Sequence, residues 1–211
     1  MLHFRDGLED MPSYDVTERD WKIKVNANES PLNLPPLVEE RVMARLSRTA
    51  FNRYPTEEAE ALREAIGRSC GLTRENVWLG NGSSEIIEKL FYAFGGAGRA
   101  IVYPEPSFSM YKIYLRAAGA AGVPVALSED YRLDGDAFIR AVKDSRADLA
   151  VLCNPNNPTG GVLSLTEVEE ILKAVSCALL IDEAYIEFAG LSASRLLSQY
   201  PHVNQDRKSV V

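Results

Sequence analysis

Short apolar runs alternate with stretches of helical spacing along most of the chain, and this alternation sets the fold expectation. Ala100-Ile101-Val102-Tyr103, Leu149-Ala150-Val151-Leu152 and Ala178-Leu179-Leu180-Ile181 are near-continuous apolar runs of strand length. Val77-Trp78-Leu79 and Val123-Pro124-Val125-Ala126 read as two further short strands. Between them, Ile86, Ile87, Leu90, Phe91 and Phe94 recur at helical spacing,. Further helices are predicted over 107–118, 134–143 and 166–175, the last from a capping-box spacing of Thr166 and Glu169,. Upstream, a helix over 37–47 carries Leu37, Val38, Val42, Met43 and Leu46 on one side, and a second over 56–70 stops at Gly71,. Residues 1–35 have no periodicity and are punctuated by Pro12, Pro31 and Pro35, so they read as an arm,. Strands buried on both faces and separated by helices imply an α/β fold, a mainly parallel sheet flanked by helices.

Composition narrows the class. The 211 residues are 46% hydrophobic and 25% charged, which excludes wholesale disorder,. Lys and Arg number 23 against 30 Asp and Glu, a formal charge of −7, and this argues against nucleic-acid binding through clustered cations,. Cys70, Cys153 and Cys177 show no CxxC spacing, so neither a disulfide framework nor a zinc ribbon is expected,. No metal site is expected, since the only histidines are His3 and His202. The start has no apolar signal core and no run approaches membrane-spanning length, so a reducing, cytoplasmic setting is expected,.

Ligands of open parallel sheets bind beyond the carboxyl ends of the strands, and three unusual segments fall at such ends. Gly80-Asn81-Gly82-Ser83-Ser84-Glu85 is a glycine turn entering a helix, where unpaired N–H groups attract an anion, best a phosphate; an ordinary strand-to-helix turn would look the same,. Asn154-Pro155-Asn156-Asn157-Pro158-Thr159-Gly160 brackets Asn157 between two prolines, which suits either a rigid surface loop or one amide held over a ligand. Asp182 ends an apolar strand, where a carboxylate is costly unless it meets a cation or donors; a helix cap or a structural ion pair is the plainer reading,.

Together these segments resemble the fold-type I pyridoxal-phosphate aminotransferases, through Asn157-Pro158-Thr159-Gly160 and Asp182-x-x-Tyr185. The finer resemblance is to the histidinol-phosphate aminotransferase family. It rests on Val25-Asn26-Ala27-Asn28-Glu29-Ser30-Pro31, Asn52-Arg53-Tyr54-Pro55, the Gly80–Glu85 turn and Asp182-Glu183-Ala184-Tyr185-Ile186-Glu187-Phe188, and it covers residues 1–203. The resemblance implies that pyridoxal 5'-phosphate is the cofactor. It implies that Asp182 pairs with the pyridine nitrogen and that Asn157 and Tyr185 hydrogen-bond the phenolic oxygen. Phe108 would stack on the ring, and the Ser83 and Ser84 amides would hold the phosphate. Tyr54 would reach the phosphate in the partner subunit's site of a homodimer, and Asn28 would lie near the substrate.

The implied reaction moves an amino group between L-histidinol phosphate and 2-oxoglutarate, giving imidazole-acetol phosphate and L-glutamate, in histidine biosynthesis. The implied division is an arm at 1–35, a helical N-terminal part of the small-domain and dimer region at 36–75, and part of the cofactor-binding large domain at 76–203. Residues 204–211 depart from the family pattern, which has an apolar strand leading to a Ser-Lys pair just beyond Val211. That lysine forms the Schiff base in the family. Lys208 stands in a polar run instead, and a frameshift, gene break or misassembled end near Asn204 is therefore expected, with little or no transamination. Another aminotransferase, a threonine-phosphate decarboxylase of the same superfamily, or a non-catalytic cofactor-binding fragment are the competing expectations.

Overall fold

The computed structural model describes residues 8, 22–54, 57–190, 192–197, 199–200 and 203–206; residues 57–58 and 203–206 are described by their backbone alone. Most of the arm, Pro55 and Lys208 lie outside the described residues. The chain divides into two units, one within 13–59 and one containing 60 onward.

In the first unit, α1 (Pro36–Leu46) starts with a proline in its first turn and has no buried residue. Its stripe of Leu37, Val42 and Met43 is exposed. The helix α2 (Glu57–Cys70) crosses the division, and Gly71 follows it with φ +70°, the left-handed stop expected,.

The larger unit is a five-stranded sheet with every neighbouring pair parallel. Its strands are β1 (Ala100–Glu105), β2 (Ala121–Ala126), β3 (Leu149–Cys153), β4 (Ala178–Asp182) and β5 (Val203–Asp206), in the order β2-β1-β3-β4-β5. Between them run α3 (Gly82–Phe94), α4 (Met110–Ala118), α5 (Gly135–Ser145) and α6 (Leu165–Ala174). Alternation along the strands makes two cores. Ile101, Tyr103, Leu149, Val151 and Leu180 pack with Ile87 and Phe91 of α3 and Tyr111 and Leu115 of α4. Val102, Ala150, Leu152, Leu179 and Ile181 pack with Phe138 of α5 and Val168 and Ile171 of α6. The sheet is thus covered on both faces, as its near-continuous apolar strands require. None of the described helices is long and apolar enough to cross a membrane.

Three local expectations change. Val77–Leu79 is not a strand: Val77 has extended dihedrals, but no described strand pairs with it. The box of the last helix is built by Ser164 and Glu167, two residues before the pair read from sequence. Ser164 Oγ accepts from the Glu167 N–H (3.2 Å), and Glu167 Oε2 accepts from the Ser164 N–H (2.7 Å). Both pairs have box spacing, and the turn that precedes the first apolar contact of the helix decides between them. Finally, the polar run after Val203 begins as β5, whose backbone ladder with β4 does not depend on side-chain polarity.

Candidate active site

The strand order reverses between β1 and β3: from β1 the chain goes outward to β2, then returns to build β3, β4 and β5 on the other side. The loops leaving β1 and β3 diverge at such a switch point and leave a crevice at the carboxyl edge. Two of the predicted segments, Asn154–Gly160 and Asp182–Tyr185, meet the loop leaving β1 there: the Asn154 N–H donates to the Asp182 carbonyl (2.9 Å), and Asn156 bonds Ser107 and Pro106.

Asn156 ties the two loops together. Its Oδ1 accepts from Ser107 Oγ (2.7 Å), and its Nδ2 donates to the Pro106 carbonyl (3.0 Å) and to Thr159 Oγ1 (2.7 Å). Asn156 is buried, so these bonds replace lost hydration,. Asn157, half-buried beside it, spends no side-chain hydrogen bond on the described residues. The structural and the unspent amide are therefore neighbours, and sequence reading singled out only the second. A cavity of about 270 Å³ adjoins this clamp, lined by Pro104, Leu127, Cys153, Asn156 and Thr159 among others; neither Asp182 nor Phe108 lines it.

Asp182, the last residue of β4, is 3% exposed. Its Oδ2 accepts from the Tyr111 hydroxyl (2.6 Å) and its Oδ1 from the Ala184 N–H (3.1 Å). Burial pushes its carboxyl above the ordinary carboxylate range, and the two donors only partly oppose that,. No cation among the described residues forms an ion pair with it. Its neighbours are uncharged: burial and the Asp182 charge hold the Tyr111 phenol well above its usual value, and burial pushes the Cys153 thiol up to about 11.

Phe108 is half-buried at the exit of β1, its ring edge-on to Tyr111 with centroids 5.5 Å apart. It is thus both a core neighbour and a rim aromatic. Tyr185 is half-buried at the start of the 3-10 turn Ile186–Phe188, three residues after Asp182. Ser83 is half-buried and Ser84 exposed in the first turn of α3, entered through Gly82 at φ +77°. A Cβ on Gly82 would meet nothing within 4 Å, so the space beside Gly82 itself is open. No hydrogen bond joins Ser83 or Ser84 to Asp182; α3 reaches the same face through Phe91, stacked on Tyr111 at 6.1 Å. Tyr54, 93% exposed, and Asn28, at φ +52°, belong to the other unit. Sequence reading missed Tyr111, Asn156 and Glu183. Phe108 precedes α4, and the Tyr111 N–H closes the turn between them onto the Phe108 carbonyl (3.1 Å).

The residues fit pyridoxal phosphate on these observations: a buried carboxylate with no ion-pair cation among the described residues, an unspent amide, an aromatic beside Tyr111 and a helix first turn entered through Gly82.

Known proteins share this fold and sequence pattern. The profile of aminotransferase class I and II matches residues 20–208. Histidinol-phosphate aminotransferase of Thermoanaerobacter pseudethanolicus is 36% identical over 199 residues, which are 94% of this chain and 57% of that protein. The Caldanaerobacter subterraneus histidinol-phosphate aminotransferase is 39% identical over 186 residues, 88% of this chain and 53% of that protein. The chain thus spans little more than half the length of these relatives. The crystal structure of histidinol-phosphate aminotransferase from Sinorhizobium meliloti, in complex with pyridoxal-5'-phosphate, superposes with a TM-score of 0.77 at 25% identity, covering 86% of this chain and 50% of that one. The chain belongs to the class I and II aminotransferase family.

Proposed function

We propose that these residues are the cofactor-holding part of a pyridoxal-phosphate-dependent aminotransferase. Its amino donor and acceptor pair would be L-histidinol phosphate with 2-oxoglutarate, and it would work as a homodimer. The observation that carries the reading is Asp182: a carboxylate buried at a strand end with two donors and no ion-pair cation among the described residues is matched by a pyridinium,. When bound, pyridoxal phosphate supplies an electron sink for the substrate's α-carbon. Asp182 holds a proton on the ring nitrogen. Asn157 and Tyr185 orient the ring through its phenolic oxygen, Phe108 covers one face against water, and the first-turn amides of α3 take the phosphate. Tyr54 and Asn28 would act across the dimer and at the substrate, and a second subunit would cover the apolar stripe of α1,. The relatives' names support the substrate assignment.

The family's reactive lysine has no counterpart among the described lysines. Lys24, Lys89, Lys112 and Lys173 pair with Glu29, Glu85, Glu105 and Glu169. Lys22 is exposed in the other unit, and Lys143 is exposed in the last turn of α5, on the face away from Asp182. A polypeptide of residues 1–211 is therefore expected to bind pyridoxamine phosphate but to transfer no amino group from L-histidinol phosphate to 2-oxoglutarate. Stopped assays for glutamate, with fluorescence titration of the cofactor, test both halves. Turnover at family-like rates would refute the lysine argument, and absence of binding would refute the cofactor site.

The two adjacent asparagines separate structure from binding. Asn156→Ala removes three buried hydrogen bonds and is expected to cost about 2–3 kcal/mol. Asn157→Ala should change stability by less than about 0.5 kcal/mol while weakening pyridoxamine phosphate about tenfold. Thermal melts and titration of both variants check this; equal melting losses would contradict it.

A further inference from the structure

Tyr111 was not among the motif residues, yet it touches two residues of the proposed ring site, Asp182 and Phe108. It lies in the first turn of α4, is 0% exposed, and donates its hydroxyl to Asp182 Oδ2 across 71 residues of sequence. Its ring is fixed by Phe91, nearly parallel at 18°, and by Phe108, at 88°. We propose that Tyr111 is a positioning residue for the cofactor, acting through Asp182 on the ring nitrogen. The inference rests on the cofactor reading above.

The geometry gives the reason. A carboxylate that serves a ring nitrogen must stay ionised after burial and must keep one lone pair aimed outward. With the Ala184 N–H on Oδ1 and the Tyr111 hydroxyl on Oδ2, donors from two different elements fix the plane of the carboxylate and supply part of the solvation that water would give,. The phenol keeps its proton, because burial and the adjacent Asp182 charge both resist its ionisation, so it remains a donor. A packing role alone needs no hydroxyl here: a phenyl ring would make the same contacts with Phe91 and Phe108.

The test compares two probes: pyridoxamine phosphate, and its 1-deaza analogue, in which a C–H replaces the ring nitrogen. Neither can form an imine with a lysine. The unmutated chain should prefer the nitrogen-bearing probe. Tyr111→Phe should weaken that probe about tenfold and leave the affinity for the deaza analogue within about twofold. Equal weakening of both probes would show a merely structural role and overturn the proposal. If the unmutated chain binds neither probe, the cofactor reading itself fails and the proposal with it. Should Tyr111→Phe not fold, the unmutated chain carries the same test. Its buried Tyr111 hydroxyl proton should shift in the NMR spectrum when pyridoxamine phosphate binds, and not with the deaza analogue. The same shift with both probes would overturn the proposal.

Discussion

Replacing Asp182 with asparagine is expected to weaken cofactor binding at least about 100-fold and, at the same time, to make the cofactor-free chain harder to melt. The first effect follows from removing one partner of a desolvated charge pair, a loss of about 3 kcal/mol or more. The second follows from what Asp182 lacks without a ligand. Its carboxylate is buried with two donors and no ion-pair cation among the described residues, so its ionised form is under-solvated,. An asparagine oxygen still accepts from one donor and carries no charge. The expected gain is about 1–2 kcal/mol, or roughly 2–8 °C for a chain of this size. Calorimetry of the ligand-free chain and titration with pyridoxamine phosphate measure the two sides. A variant that melts earlier, or that binds as tightly as the parent, would contradict the assignment.

The gain carries a pH signature. Burial raises the folded pKa of Asp182 above its unfolded value, so the folded state binds the proton more tightly,. The favourable contribution of the protonated acid is complete below the unfolded value, near about 4, and is lost as pH rises through the folded pKa. Asp182→Asn has no such titration. The difference in melting temperature should therefore vanish below about pH 4, open as pH rises, and level off once Asp182 is ionised. The neighbouring Tyr111 and Cys153 stay neutral across this window, because burial holds both their pKa values up. Bound pyridoxamine phosphate should invert the order of the parent and the variant, since it supplies the missing cation to the parent alone.

The sheet was legible because β1, β3 and β4 are buried on both faces, and a strand of that kind writes a continuous apolar run,. Val77-Trp78-Leu79 writes a similar run, but a strand exists only where another strand pairs with it, and pairing is not a local property,. The same limit governs the site. Asp182 and Asn157 stood out because each is chemically unexpected in its own segment. Tyr111 did not, because its segment reads as an ordinary apolar helix face and its partner lies on a different element. Asn156 was one of three asparagines, and the two loops it joins lie 49 and 50 residues apart in sequence. Long-range hydrogen bonds of this kind leave no periodicity to read.

Glu183 is the clearest case of a carboxylate whose role is not chemical. It follows Asp182 directly and, by the alternation of the strand, points to the opposite face. It is 0% exposed, with Oε1 accepting from the Ala193 N–H (2.6 Å) and Oε2 from Ser192 Oγ (2.8 Å). These bonds hold the start of the 3-10 turn Ala193–Leu196, which packs Ala193 and Leu196 onto the α5–α6 core. Glu183→Ala takes the Glu183 acceptor from the buried Ala193 N–H, removes the Ser192 contact and opens a cavity, at an expected cost of about 3–5 kcal/mol,. That is a large share of the stability of a domain this size, so the variant should be largely unfolded at 37 °C. Glu183→Gln keeps one acceptor for the Ala193 N–H and can donate to the Ser192 hydroxyl, so it should cost only about 1 kcal/mol. Denaturant melts of the two variants separate hydrogen-bond geometry from charge. Equal losses would mean that the negative charge itself is what the turn requires, and the neutral-acceptor account of Glu183 would be wrong.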